Sequence, residues 1–420
     1  MFSVSKLIIE GRKRLSGRVE IQGAKNSALP ILAATLLTND SCVINNCPDL
    51  SDVEITLNIL RYLGCTAQLD GNTVTLDSKC ADKYDIPDEL MHAMRSSIIF
   101  LGPLLARFGK ARLTFPGGCE LGPRPIDLHL KALRMMGVEI AEQHGIIECF
   151  APDGIKGAKI SLSFPSVGAT ENIMIAAATA KGTTVITNAA REPEICDLAD
   201  CLNSFGAQVA GAGEGTIVID GVSTLKGAMH TIIPDRIAAA TYMAAVAATG
   251  GKVLVDRIVP SHLSGITPIF EESGCTVKQR GNSILIDAPR RLRAVKLIRT
   301  MPYPGFPTDA QPPLMAMLAL ARGTGIFVEN IFENRYKHTS CLERMGARIY
   351  IEGKVAVVEG VPELYGAKTA APDLRGGAAL VVAGLSAGGK TEINDIHYIE
   401  RGYERIELAL SQLGASIKKL

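Results

Sequence analysis

The chain contains no tryptophan, and aromatic residues make up only 5% of it. Its core must therefore be packed by small and aliphatic side chains. Charge excess is missing as well: 44 Lys+Arg against 43 Asp+Glu leave a formal net charge of +1. No overall field draws such a chain to nucleic acid or to an acidic membrane surface. Its ten cysteines include no CxxC pair. Cys42/Cys47 and Cys196/Cys201, each pair with four residues between, fit no metal motif. None of the seven histidines belongs to an HExxH or to a clear metal pair. Together these absences predict a reduced, cytoplasmic protein with mostly buried thiols. The opening "MFSVSKLIIEGRKRLSG" offers only a short apolar run before charges begin. It reads as neither a signal peptide nor a membrane span.

What the chain does have is a repeat. A helical stretch, a glycine and an alternating strand recur as "LRYLGCTAQL", "LKALRMMGVEI", "LADCLNSFGAQV", "IFEESGCTVKQ", "CLERMGARIYI" and "LSQLGASIKKL". The glycines are Gly64, Gly137, Gly206, Gly274, Gly346 and Gly414, spaced 68 to 73 residues apart. Each is placed to cap a helix C-terminus, where a positive φ is cheap without a Cβ. Before each of these helices lies an apolar, Ala-rich run: "NSALPILAATLL", "SSIIFLGPLLA", "ATENIMIAAATA", "DRIAAATYMAAVAA", "PPLMAMLALA" and "GGAALVVAGL". A helix apolar all round is buried on every side. Six units of about 70 residues, each with one buried and one amphipathic helix plus strands, predict an α/β protein of two three-unit domains. Residues 22–230 form the first and 231–420 the second. The opening "KLIIEGRKRLSGRVEI" reads as strands joined by a turn that could pair with either half.

Polar groups recur where the buried helices begin: Lys25 and Asn26 before the first, Arg95 before the second, Ser166, Val167 and Gly168 before the third. Asp235 and Arg236, Thr308 and Asp309, then Asp373 and Arg375 precede the others. Helix N-termini attract anions. If the helices of a domain share a direction, these groups converge on one face, and two such faces opposed suit a phosphorylated ligand. Taken singly, Lys25 and Asn26 read as well as a solvated lysine and a capping asparagine. "PGGCELGPRPIDLH" displays Cys119 after two glycines and sets Arg124 between two prolines. A nearby cation favours the thiolate, while Glu120 opposes it; the plainer alternative is a surface turn. "HYIERGYERIE" carries Arg401 and Arg405 among glutamates, which also fits an i,i+4 ion-pair lattice. "APRRLRAVKLIR" is the densest basic run. It has no aromatic platform, so a solvated face is expected there rather than nucleic acid.

Taken together and in order, "GAKNSALP", "PGGCELGPRPIDLH", "SVGAT", "PDRI", "YPGFPTD", "IFENR" and "RGYER" resemble the motifs of the UDP-N-acetylglucosamine 1-carboxyvinyltransferases. The likeness covers essentially the whole chain. It implies two inside-out α/β barrels, helices inside and sheet outside, with residues 1–21 joining 231–420 and the active site in the cleft between. It implies transfer of the enolpyruvyl group of phosphoenolpyruvate to the 3-hydroxyl of UDP-N-acetylglucosamine, with release of phosphate, as the committed step of peptidoglycan and hence cell-wall synthesis. By the same likeness Cys119 is the acid that protonates C3 of the enol, and the thiol that fosfomycin alkylates. Asp309 is the base facing the sugar hydroxyl. Lys25, Arg95, Arg124 and Arg401 hold the phosphate and carboxylate of phosphoenolpyruvate. Asn26, Thr308 and Asp309 contact the sugar; Arg124, Pro125, Ile126, Asp127, Leu128, Ser166, Val167, Gly168 and Ile331 serve the uridine diphosphate; Arg375 has a conformational or turnover role. Phe164 stands where some members carry lysine and is left out of the site. The likeness implies no metal and no organic cofactor, and a monomer or weak homodimer is expected. The alternatives are the sister enzyme that uses shikimate 3-phosphate, which lacks this cysteine loop, and a silent paralogue, against which the joint presence of Lys25, Cys119, Asp309 and Arg401 speaks.

Overall fold

The structure is a computed structural model that describes residues 5–115 and 126–420. Each repeat lays down the same order of elements. In the first, the apolar helix Lys25–Ala34 leads to strand Ser41–Asn45, then to the amphipathic helix Ser51–Tyr62 and the hairpin of Thr66–Asp70 and Thr73–Asp77. The other apolar helices are Leu101–Phe108, Val167–Ala177, Arg236–Ala248, Gln311–Leu318 and Leu374–Ser386. All six repeat glycines close an amphipathic helix with φ between +86° and +101°. That is the left-handed turn for which a side chain costs roughly 1–2 kcal/mol.

The described residues form six separate sheets, five of four strands and one of three. In a complete sheet an edge strand runs parallel to the strand that follows the apolar helix, and that strand pairs antiparallel with the second hairpin strand. Leu297–Arg299, Thr324–Val328, Val355–Glu359 and Arg348–Glu352 show this arrangement. The sixth repeat ends after one hairpin strand, Ser416–Lys419. Leu7–Glu10, from the start of the chain, supplies the missing one, paired antiparallel with both Lys390–Asn394 and Ser416–Lys419. Ser16–Glu20 then serves as the parallel edge of the fourth sheet, beside Lys252–Asp256. In the three-stranded sheet a single parallel bridge, Asp85 to Arg112, stands where the edge strand would be.

Contacts divide the chain into two units. One takes the chain up to Gln22 together with Pro234–Leu420; the other runs from Gly23 to Ile233. The far boundary lies three residues beyond the expected 230, because strand Met229–Thr231 is bonded to Ser41–Asn45 and stays with it. Each unit has its own hydrophobic core. In the Pro234–Leu420 unit the helices Arg236–Ala248, Gln311–Leu318 and Leu374–Ser386 pack against one another, and Arg236 to Ala247 are buried without interruption. Alanine and glycine make this closeness possible. In the other unit a Cβ on Gly102 would lie 2.5 Å from the carbonyl oxygen of Asn172, so only glycine lets these two helices meet. No described helix is long and apolar enough to cross a membrane.

Candidate active site

In the Gly23–Ile233 unit, Ala24 is the N-cap of the first apolar helix and Lys25 and Asn26 are its first residues, so Asn26 is not the cap. Lys25 is buried rather than solvated, with Nζ 3.2 Å from Oδ2 of Asp52, itself fully buried in the first turn of Ser51–Tyr62. Asn26 is half-buried. Arg95 opens the 3-10 turn that runs into Leu101–Phe108. Ser166 caps the third helix, its hydroxyl accepting from the Ala169 N–H at 3.3 Å, and Val167 and Gly168 form the first turn. Ile126 caps the helix Asp127–Met135, and Leu128 follows on it half-buried.

One side chain ties the second and third of these starts to the Asp127–Met135 helix. Asn172 Oδ1 accepts from the Gly102 N–H at 2.7 Å, a helix-start donor with no partner in its own helix. Its Nδ2 donates to Ile98 C=O at 3.0 Å and reaches His129 Nδ1 at 2.8 Å. Since the amide nitrogen can only donate, His129 Nδ1 accepts, and a neutral ring carries its proton on Nε2. Gly168 lies against that ring: a Cβ there would stand 3.3 Å from Cε1. Burial pushes the His129 imidazole down to about 4; Asp127 opposes this and Arg95 adds to it. Arg95, Asp127 and Gly168 are thus neighbours through His129.

The other unit converges more tightly. Asp309 Oδ1 accepts from Arg335 Nη2 at 2.8 Å, and its Oδ2 from Arg375 Nε at 3.2 Å and Nη2 at 3.1 Å. Both arginine side chains are almost wholly buried, whereas that of Asp309 is 28% exposed. Arg335 also donates to Thr308 C=O, from Nε at 3.1 Å and Nη2 at 2.9 Å. Asp235 and Asp373 cap their helices, each accepting two backbone N–H groups. Arg236, buried beside Asp235, stacks over the Tyr303 ring. Glu329 joins Thr308 to Ile331. Its Oε2 accepts from the Thr308 hydroxyl at 3.0 Å and its Oε1 from the Ile331 N–H at 2.8 Å. Arg401 closes the short helix His397–Glu400, two residues before Tyr403, whose hydroxyl lies 2.8 Å from that of Thr241.

In the Pro234–Leu420 unit Arg335 thus brings Asp309 and Asp373 together and Arg375 joins them at Asp309; in the other unit Arg95, Asp127 and Gly168 meet around His129, while Lys25 is held by Asp52. Cys119, Arg124 and Pro125 lie outside the described residues. Glu329, Arg335, His129, Asn172 and Asp52 take part without being singled out by the sequence. Glu329 and Arg335 stood inside or beside the "IFENR" motif, charged residues following an apolar strand, and His129 ended the cysteine motif. Nine cysteines are described, six of them buried, and burial pushes the Cys65 and Cys149 thiols up to about 12.

The neutral histidines carry a pH prediction. Burial holds both His129 and the fully buried His338 down to about 4, against an ordinary 6.5. Between those values the unfolded chain binds more protons than the folded one, so stability rises with pH. Acidifying from 6.5 to 4 should remove on the order of 3 kcal/mol per histidine. His129→Asn keeps an acceptor for Asn172 and should lower the pH dependence in this window by one histidine's share in denaturant titrations; an unchanged slope would mean that His129 does not titrate in this way.

The family model of EPSP synthase (3-phosphoshikimate 1-carboxyvinyltransferase) matches residues 9–410. A UDP-N-acetylglucosamine 1-carboxyvinyltransferase 2 of Caldanaerobacter subterraneus subsp. tengcongensis is 51% identical over 417 residues, covering 99% of this chain and 100% of that one. The chain belongs to the UDP-N-acetylglucosamine 1-carboxyvinyltransferase family. A member from Symbiobacterium thermophilum is 50% identical over 420 residues, 99% of this chain and 95% of its own. Among solved structures, the enolpyruvyl transferase NikO of Streptomyces tendae superposes with a TM-score of 0.89 at 27% identity, over 99% of this chain and 98% of that one. The EPSP synthase of Acinetobacter baumannii shares the fold, with a TM-score of 0.75 at 18% identity and 99% of each chain covered. The sequence likeness to this family covers 99% of the chain.

Proposed function

We propose that the protein transfers the enolpyruvyl group of phosphoenolpyruvate to the 3-hydroxyl of UDP-N-acetylglucosamine and releases phosphate, the entry step of peptidoglycan synthesis. Full-length relatedness at about half identity to transferases of that name carries the reading. The addition needs a proton at C3 of the enol, so that C2 becomes electrophilic, and a base for the sugar hydroxyl. Cys119 is assigned the first task and Asp309 the second. Asp309 suits it: its carboxylate is 28% exposed, and bonds from two buried arginines fix where it points. Arg335 and Arg375 are its positioning residues. Expulsion of phosphate from the tetrahedral adduct completes the transfer. Lys25, Arg95, Arg124 and Arg401 hold the phosphate and carboxylate of phosphoenolpyruvate and balance the charge that develops. Asn26 and Thr308 contact the sugar. Ile126, Asp127, Leu128, Ser166, Val167, Gly168 and Ile331, with Arg124 and Pro125, serve the uridine diphosphate, where the N-terminus of the Val167–Ala177 helix favours an anion. Each unit would be an inside-out barrel, a reading supported by apolar helices packed together and by three sheets per unit.

The acceptor is the point to test. Incubation with phosphoenolpyruvate and either UDP-N-acetylglucosamine or shikimate 3-phosphate, followed by mass spectrometry, should give an enolpyruvyl ether of the sugar nucleotide only. A shikimate product instead would transfer the chain to the sister activity. Fosfomycin should alkylate Cys119 when the sugar nucleotide is present, and peptide mapping should find the adduct there rather than at the exposed Cys80. Unmodified Cys119 after excess epoxide would remove the thiol from its assigned role.

A further inference from the structure

The ends of the apolar helices in the Pro234–Leu420 unit that lie away from Asp309 enclose a second feature. A cavity of about 260 Å³ is lined by Arg12, Arg290 and Arg291, by Glu363, and by Ala247, Ala248 and Ser386 from two helix C-termini. The Arg236–Ala248 helix separates it from the Arg236 end by about 18 Å, at 1.5 Å per residue. Two of the arginines come from the basic run that the function does not use.

Cations at helix C-termini ordinarily serve the last carbonyls, but here other donors already do so. Ala245, Val246 and Ala247 C=O accept from the N–H of Thr249, Gly251 and Gly250; Leu385 C=O accepts from Arg12 N–H; Leu318 C=O accepts from Ala321 N–H. Arg14, outside the cavity lining, donates to Gly250 C=O. The one lining carboxylate, Glu363, takes Arg12 and the Tyr365 hydroxyl. Among the described residues neither Arg290 nor Arg291 has a carboxylate partner, and both are exposed. Three arginines thus line one space beside a single carboxylate, and only Arg12 is paired with it.

We propose that this cavity is a binding site for a small polyphosphorylated anion, separate from the candidate active site. Guanidinium forks match phosphate oxygens two at a time. The volume falls below the roughly 300–1,000 Å³ of pockets for drug-sized ligands, which favours a compact anion over a whole nucleotide. Pyrophosphate is the probe. Calorimetric titration into the full chain, saturated with UDP-N-acetylglucosamine and first alkylated by fosfomycin so that the phosphoenolpyruvate site is filled, should show one saturable event. That event should weaken tenfold or more in Arg290→Gln/Arg291→Gln, and in Arg12→Gln as an independent variant, with thermal midpoint and turnover unchanged. It should persist in Arg401→Ala, at the other end of the unit. No saturable binding, equal affinity in the glutamine variants, or loss of binding to sodium chloride at matched ionic strength would overturn the site.

Discussion

Asp309→Ala will cost the protein stability and turnover together. Arg335 and Arg375 lie at 1% and 2% side-chain exposure with Asp309 between them. Removing one partner of a buried ion pair destabilises by about 3–5 kcal/mol, because the remaining charge has been taken out of water. Asp309 is itself partly exposed, so the lower end, about 3 kcal/mol, is expected. On the role proposed for Asp309, turnover should fall by about 10²–10⁴, the usual contribution of a positioned base. The two effects separate in a second pair of variants. Asp309→Asn keeps the shape and one acceptor oxygen, so it should recover part of the stability and none of the turnover. Asp309→Ala/Arg375→Met should recover stability further, again without activity. Denaturant titration and product formation measured on the same samples decide it. Asp309→Asn working within tenfold of wild type would mean that Asp309 holds two arginines and does not act as the base.

Lys25→Met is the second large effect. Lys25 lies at the head of its helix, 3.2 Å from an Asp52 carboxylate with no exposed surface. Withdrawing the cation should cost about 3–5 kcal/mol, and, on the role proposed for Lys25 at the reacting phosphate, turnover should fall by about 10²–10³. Lys25→Met/Asp52→Asn should return much of the stability, since the buried charge goes with its partner, while turnover stays low. A double variant no more stable than Lys25→Met would show that Asp52 draws its support elsewhere. A Lys25→Met enzyme with normal turnover would confine the lysine to structure.

Much of the scaffold was legible because it is written in local signals. A glycine closes a helix in the left-handed region wherever the chain turns straight back, and all six did so. A run of alanine and leucine without a polar face has to be buried, and these were. The place of Leu7–Glu10 was not legible from pattern: a four-residue strand that pairs with residues nearly four hundred positions away leaves no trace in its own composition. The repeat held the clue, since its sixth copy stops one hairpin strand short. At the site, residues at the heads of apolar helices announced themselves by position. Glu329, Arg335 and Asn172 did not, because their roles come from what they bridge: Thr308 with Ile331, Thr308 with Asp309, and Ile98 with Gly102 and His129. Asn26 was open to reading as a cap because asparagine favours that position, but the preceding Ala24 takes it without a side-chain bond.

The account rests most directly on one coupling, that between the sugar nucleotide and the loss of phosphate. Phosphate release from phosphoenolpyruvate, followed with and without UDP-N-acetylglucosamine for wild type and Cys119→Ala, measures it. The expected result is release that requires the sugar nucleotide and collapses in the variant. No release from the wild type, with sugar-nucleotide binding still measurable, would contradict the account and leave a protein that binds this ligand without turning it over.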